Sequence, residues 1–305
     1  MKRNLLMVMA ALLLSVGMTW AGPIEDSIAA RKTGDFAKAL KILQPLAERG
    51  NPSAQFNLGL MYSKGQGVAQ DYNEAFKWYR LAAAQGNESA QAKLGFMFEF
   101  GQGVAQNSAE VLKWYRRAAA QGNADAQNDL GEMYGNAQGA PHDSEEAIKW
   151  YRLSAEQGYA SGQTNLGFMY ENGHGVAQNS KEALKWYRLA AAQGDLVAPF
   201  YLGEMYSKES GVMQNYAEAI KWYRLAAVRG LADAQFKLGL MYFSGKGAAQ
   251  DYIRAHMWAN LAAVLGDATM HRTLDIITSK MTPKQIDEAL KMAHYCQQRN
   301  FQGCD

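Results

Sequence analysis

Residues 166–194 read LGFMYENGHGVAQNSKEALKWYRLAAAQG, and residues 58–86 read LGLMYSKGQGVAQDYNEAFKWYRLAAAQG. The two stretches share their glycines, their Trp-Tyr pair and their small-residue ending, and similar wording recurs along the chain. The glycine of the Leu-Gly pair stands at Gly59, Gly95, Gly131, Gly167, Gly203 and Gly239, always 36 residues apart. Trp78, Trp114, Trp150, Trp186, Trp222 and Trp258 keep the same step, as do Gly86, Gly122, Gly158, Gly194, Gly230 and Gly266. Self-similarity at a fixed period of this length is the signature of a repeat architecture. It defines six units: 51–86, 87–122, 123–158, 159–194, 195–230 and 231–266.

Each unit reads as two helices. In the first unit Ala54, Leu58, Met61 and Tyr62 fall at i, i+4, i+7 and i+8, one stripe of an α-helix. Gly65-Gln66-Gly67 breaks it. The second of these glycines is kept in all six units (Gly67, Gly103, Gly139, Gly175, Gly211, Gly247), which implies a positive φ or a close backbone approach. The first is looser, being Ala137 in the third unit and Glu209 in the fifth. A second helix opens on Asp71-x-x-Glu74, Asn107-x-x-Glu110, Asp143-x-x-Glu146, Asn179-x-x-Glu182 and Asn215-x-x-Glu218, the spacing of a capping box. Only Asp251-x-x-Arg254 lacks the Glu. Ala75, Trp78, Tyr79, Ala82 and Ala83 form its apolar stripe, and Gly86 suits the left-handed position after a helix end.

One such hairpin cannot bury both its stripes; stacking on neighbours does. Residues 22–50 read as an N-terminal cap, with Ala37, Leu40, Ile42 and Leu43 on a helix in register with the later second helices. Past Gly266 a further helix is expected to about Ser279, and Thr282-Pro283-Lys284-Gln285 starts a last one running to about Arg299. The predicted fold is all-α: six stacked helical hairpins between a cap at 22–50 and a cap at 267–305.

The chain has 305 residues, 48% hydrophobic and 20% charged, the balance of a soluble globular protein. Its first residues differ. Lys2 and Arg3 precede an apolar run from Leu5 to Met18, and Thr19-Trp20-Ala21 follows, the layout of a secretory signal peptide. The run is 14 residues long, short of the roughly 20 that a membrane span needs. No Cys follows it to carry a lipid. The expectation is cleavage after Ala21, a periplasmic or secreted chain, and no membrane span thereafter.

Removing residues 1–21 takes two of the 31 basic residues and none of the 29 acidic ones, leaving 29 against 29. A chain without net charge is a poor match for nucleic acid, whose binding rests on many phosphate contacts. The two cysteines, Cys296 and Cys304, both lie at the C-terminus. In an oxidising compartment they are expected to pair and pin the tail. The closed loop is short, so the gain is about 2 kcal/mol or less.

Chemistry has few places to reside. The histidines are His142, His174, His256, His271 and His294, with no H-E-x-x-H pair and no zinc spacing. His142 and His174 fall in inter-helix loops and read as solvated. No cofactor is implied. Met61, Met97, Met133, Met169, Met205 and Met241 form a ladder that reads as core filler rather than a metal stripe. The GQGV and GHGV loops lack the phosphate-loop Lys and follow a helix, so they read as turns. Lys-Trp-Tyr-Arg quartets such as Lys77–Arg80 place Trp and Tyr in the stack and leave the cations in solvent.

The pattern A-x-x-x-L-G-x-x-Y-x-x-G-x-G-V, followed by A-x-x-W-Y-x-x-A-A-x-x-G, resembles the Sel-one-like repeat (SLR) family, relatives of tetratricopeptide repeats with a longer inter-helix loop. The likeness covers residues 51–266, and the ending MWANLAAVLGD…MTPKQIDEA also resembles bacterial members. Departures are few: Val111 replaces a small Ala, Phe98 a Tyr, and Ala259-Asn260 the Tyr-Arg of the sixth unit. The resemblance implies a right-handed α-solenoid acting as an adaptor or scaffold for other proteins in a bacterial envelope.

Some relatives carry a β-lactamase label, which supplies a rival activity as a cell-wall or β-lactam hydrolase. That chemistry needs S-x-x-K. No Ser in the chain is followed three residues later by Lys, and Lys32-Thr33-Gly34 stands in the N-terminal cap without partners. In tetratricopeptide-like stacks the first helices line a concave groove. Here that face carries Phe56, Leu60, Phe96, Phe168, Phe200, Phe236, Leu240 and Phe243, interspersed with Glu99, Glu132, Glu171 and Glu204. Apolar side chains on a face that solvent should wet mark contact with a partner. The expected ligand is a segment of another protein with apolar anchors and some basic residues. Self-assembly by ends or edges is a further possibility, and no catalytic residue is assigned.

Overall fold

The computed structural model describes residues 22–208, 213–264, 266, 268–301 and 303–304. The expected signal peptide at 1–21 and the fifth-unit loop residues Glu209 and Gly211 lie outside the described residues. The chain divides into two compact units between Asn123 and Ala124.

The first unit contains α1 (Pro23–Lys32), α2 (Phe36–Glu48), α3 (Pro52–Lys64), α4 (Tyr72–Ala84), α5 (Glu88–Phe100) and α6 (Ser108–Ala120). Here α1 and α2 form the cap, and α3–α4 and α5–α6 are the first two repeats. The second unit contains α7 (Ala124–Gly135), α8 (Ser144–Glu156), α9 (Ala160–Asn172), α10 (Ser180–Ala192), α11 (Ala198–Ser207), α12 (Tyr216–Ala227), α13 (Ala232–Ser244) and α14 (Tyr252–Ala263), four more repeats. They are followed by the terminal helices α15 (Ala268–Thr278) and α16 (Pro283–Gln298). No strand occurs among the described residues. Within each unit successive helices pack on one another, so the class is the all-α stack of hairpins that the period predicts.

The core is a ladder of equivalent side chains. In the first unit Ala54, Leu58, Met61, Tyr79 and Leu94 are all buried, and in the second Leu166, Met169, Tyr187, Leu202, Met205 and Tyr223 repeat the arrangement. All six methionines of the ladder are buried, as core filler should be. In the cap helix α2 the stripe is Ala39, Leu43 and Ala47. Ala37 is exposed, because it stands two residues before Ala39 and so about 200° round the helix from the buried stripe.

The starts of the second helices differ from the expected capping boxes. The N-cap half forms: Asp71 accepts from the backbone N–H groups of Asn73 and Glu74, and Asn179 from Lys181 and Glu182. The reciprocal half does not, because the N-cap N–H already donates to a carbonyl at the end of the preceding helix, Asp71 to Tyr62 and Asn179 to Tyr170. The freed glutamates turn outward. Glu146 takes Lys149 at 2.8 Å and the Trp150 indole N–H at 3.0 Å, and Glu110 does the same with Lys113 and Trp114. The full reciprocal box is found at Thr282–Gln285, which opens α16.

The invariant loop glycine satisfies both readings at once. Gly175 has φ +66°, and a Cβ there would lie 2.3 Å from the Ser144 carbonyl oxygen. The loop of one repeat thus closes against the start of the second helix of the repeat before it. A second ladder carries polar groups through the stack. Gln163 donates to the Ala155 carbonyl at 3.2 Å and accepts from Gln193 at 2.7 Å, and Gln91 makes the equivalent bonds to Ala83 and Gln121.

Candidate functional site

The expected groove residues sit at fixed places on the first helix of each repeat, and the structure shows what each one meets. In the first unit Phe56 is half-buried with its ring 5.9 Å from that of Tyr79. Leu60 and Phe96 line a cleft of about 290 Å³ together with Ser63, Lys64, Tyr79 and Lys93. Phe96 is the most open of the predicted phenylalanines, 39% exposed, and its ring lies 4.5 Å from that of Phe100. In the second unit Phe168 lies against Tyr201, and Phe200 packs between Tyr201 and Tyr223. Phe236 is half-buried. Leu240 and Phe243 line a cleft of about 340 Å³ with Tyr216, Tyr223, Lys237 and Lys246.

The four carboxylates have internal work that spacing alone does not reveal. The tyrosine of the second helix is buried in each of the first five repeats, and its hydroxyl needs a partner. Tyr115 donates to Glu99 at 2.7 Å, Tyr187 to Glu171 at 2.8 Å and Tyr223 to Glu204 at 2.6 Å. In the first repeat Ser63 fills the role for Tyr79 at 3.2 Å. Burial raises the Tyr79 phenol to about 12 and pushes Tyr187 and Tyr223 up as well. Burial also raises Glu171. For Glu204 burial pulls upward too, but hydrogen bonds from Lys208, Lys237 and Tyr223 outweigh it and hold the carboxyl at about 2. Glu204 is 8% exposed, an anchored ion rather than an open carboxylate.

Glu132 is different. Its Oε1 accepts from Asn128 at 3.0 Å and Asn165 at 3.1 Å, and it lines a cleft of about 420 Å³ at the junction of the third and fourth repeats. The lining includes His142, Ser144, Tyr151, Asn165, Phe168, His174 and Tyr201. The two loop histidines, read as unrelated solvated residues in the sequence, thus share one cleft. His142 Nε2 lies 3.4 Å from Ser144 Oγ, and the His174 ring is edge-on to Phe168 at 5.8 Å. Their positions in the repeat, 142 and 174, are 32 residues apart rather than 36, so the period itself gives no hint of the meeting.

Away from this face, Leu81 in the first unit and Leu153, Leu189 and Leu225 in the second stand exposed on the second helices. Each comes from a different repeat, and singly exposed leucines are ordinary surface. At the C-terminus Cys296 and Cys304 form a disulfide of 2.01 Å, with both residues buried. No group of three or more His, Cys, Asp or Glu side chains suited to a metal ion occurs among the described residues. No helix among them is long and apolar enough to cross a membrane.

The model of the Sel1 repeat matches residues 52–87, 88–123, 124–159, 160–195, 197–230 and 232–267. Among solved structures, a Sel1 repeat protein from Oxalobacter formigenes is similar at 33% identity and TM-score 0.72, over 79% of this chain and 99% of that one. A protective antigen of uropathogenic Escherichia coli with an SLR fold matches at 29% identity and TM-score 0.38, over 87% of this chain and 73% of that one. A Sel1 repeat protein from Klebsiella pneumoniae matches at 23% identity and TM-score 0.46, over 67% and 99% of the respective chains. None of the curated proteins matches.

Proposed function

This chain belongs to the Sel1 repeat family, whose repeats typically serve as scaffolds for protein interactions, and from that premise we propose that it is an exported, non-enzymatic adaptor holding a segment of another protein along its first-helix face. The observation that carries this reading is the recurrence of one cleft in the repeat. The clefts at Leu60–Phe96, Glu132–Phe168 and Leu240–Phe243 occupy equivalent positions and combine aromatic or aliphatic walls with a few polar groups. Pockets that recur at one place in the repeat suit an extended ligand chain, since apolar anchors supply the affinity and the polar groups supply the selection. The buried disulfide supports export, because such pairs persist in oxidising compartments. The cleaved form would be periplasmic or secreted.

The test is site-specific photo-crosslinking in the producing cell. A photoreactive residue at Phe96 or Phe168 is expected to give a discrete adduct with another protein, and one at Leu81 or Leu189 is not. Adducts confined to the leucine positions would overturn the assignment of the face, and adducts consisting of the chain itself would replace a partner with self-assembly.

A further inference from the structure

The third repeat breaks the pattern of its siblings at two positions, Gly135 and His142, and both lie at one cleft. The residue that receives the buried tyrosine hydroxyl is Ser63, Glu99, Glu171 or Ser207 in four other repeats, but Gly135 in the third. Tyr151 is 6% exposed, and its hydroxyl meets no hydrogen-bond partner among the described residues. In all five other repeats a glutamine donates to the carbonyl seven residues earlier, Gln70 to Ser63 and Gln178 to Glu171 among them. In the third repeat His142 stands there, and the Gly135 carbonyl receives no such bond. Ser144 occupies the place held by Tyr72 and Tyr216 in the equivalent clefts. Glycine in place of serine at Gly135 and serine in place of tyrosine at Ser144 open the space, which is about 420 Å³ against about 290 and 340 Å³ for the other two clefts.

The charge changes as well. Lys64 and Lys93 line one sibling cleft, and Lys237 and Lys246 the other. The third-repeat cleft is lined by no Lys or Arg and by Glu132. Asn165 spends its amide N–H groups on Asn128 and Glu132, which leaves its carbonyl oxygen as an acceptor. The lining therefore carries an excess of negative charge, from Glu132 with no Lys or Arg beside it, and acceptor oxygens on Asn165, Tyr151 and the Gly135 carbonyl, next to the rings of Phe168 and Tyr201. A planar cation with five N–H donors matches that excess and stacks on aromatic faces, whereas an ammonium offers three donors and no plane.

We propose that the cleft between Glu132 and Phe168 is a specificity pocket for the guanidinium of an arginine side chain on the bound segment. This rests on the first-helix face being the docking face.

The probe is L-argininamide, titrated into the purified chain and followed by the NMR ring signals of His142 and His174. L-lysinamide and the neutral isostere L-citrullinamide serve as comparisons. Argininamide is expected to saturate, with citrullinamide at least about tenfold weaker, since a charge-assisted bond is lost. Glu132→Gln should weaken argininamide by about tenfold or more on the same grounds. Gly135→Ser, which restores the hydroxyl of the first and fifth repeats, should abolish the titration. A Cβ at Gly135 meets the Tyr151 hydroxyl at 3.6 Å and Ala147 at 3.7 Å, ordinary contact, so this variant should fold. Equal binding of citrullinamide, tighter binding of lysinamide, or an unchanged Glu132→Gln variant would overturn the proposal. If those failures occur while Phe96 and Phe168 still crosslink a partner, the scaffold stands and only the pocket falls. If argininamide saturates while crosslinks arise only from Leu81 or Leu189, the docking face falls instead.

Discussion

Two glycines of the second unit should respond to alanine in opposite directions. Gly167, of the Leu-Gly pair, faces the ring of Tyr187, and a Cβ there would lie 2.8 Å from ring carbons Cδ1 and Cε1. That ring has nowhere to go. It is fully buried, its hydroxyl is held by Glu171 at 2.8 Å, and it stacks on Tyr201 at 5.1 Å. Forcing a methyl into a packed contact costs roughly 1–3 kcal/mol. Helix propensity alone would favour alanine over glycine by about 1 kcal/mol. With the ring held on three sides the steric cost falls near the top of its range, so Gly167→Ala should lose about 2 kcal/mol net. Gly135 is also helical, but a Cβ there meets only ordinary contacts, the Tyr151 hydroxyl at 3.6 Å and Ala147 at 3.7 Å, so Gly135→Ala should gain about 0.5 kcal/mol. Urea midpoints at constant m measure both. Because stacked repeats can unfold in sections, hydrogen exchange in α9 and α10 should show the loss locally. A Gly167→Ala chain as stable as the parent would mean that propensity governs this position and that the ring contact does not constrain it.

Three further outcomes follow from particular contacts. Glu204 has a folded value of about 2 against an ordinary 4.5, so its ionised form contributes at most about 3 kcal/mol. That contribution is complete above the ordinary value and is lost as pH falls toward about 2; Glu204→Gln should lower the urea midpoint at pH 7 and flatten its acid dependence, and an unaltered pH profile would contradict the ion-pair account. Ala137 sits at φ 56° where the first, second, fourth and sixth repeats have glycine, so Ala137→Gly should raise stability by about 0.5–1 kcal/mol in thermal melts. Replacing Cys296 and Cys304 by alanine should remove about 2 kcal/mol or less, read as faster hydrogen exchange in α16 with α7–α9 unaffected; equal protection of α16 would show that the disulfide does not hold it.

Much of the molecule was legible from the period because local chemistry and the need for stacking repeat together. Helix lengths, turn glycines, N-caps, the buried methionine ladder and the terminal helices follow from side-chain spacing and capping preference, which act over a few residues. The site was legible only in part. Spacing placed Phe168, Glu132 and Glu204 on one face, but could not tell an anchored carboxylate from an open one. Glu204 is an anchored ion because Lys208, just past the end of its own helix, and Lys237 of α13 both meet it, and Glu171 is occupied by a tyrosine 16 residues away. The capping glutamates likewise turn to Lys and Trp because a carbonyl from the preceding helix has already taken the N-cap N–H. The sequence by itself determined six hairpins and their all-α class. Only tertiary structure decided which polar groups are consumed inside the stack, and that His142, His174 and Tyr151 share a cleft around Gly135. The reason is that hydrogen-bond satisfaction and empty space depend on which distant atoms arrive at the same place, and a local pattern carries no record of that.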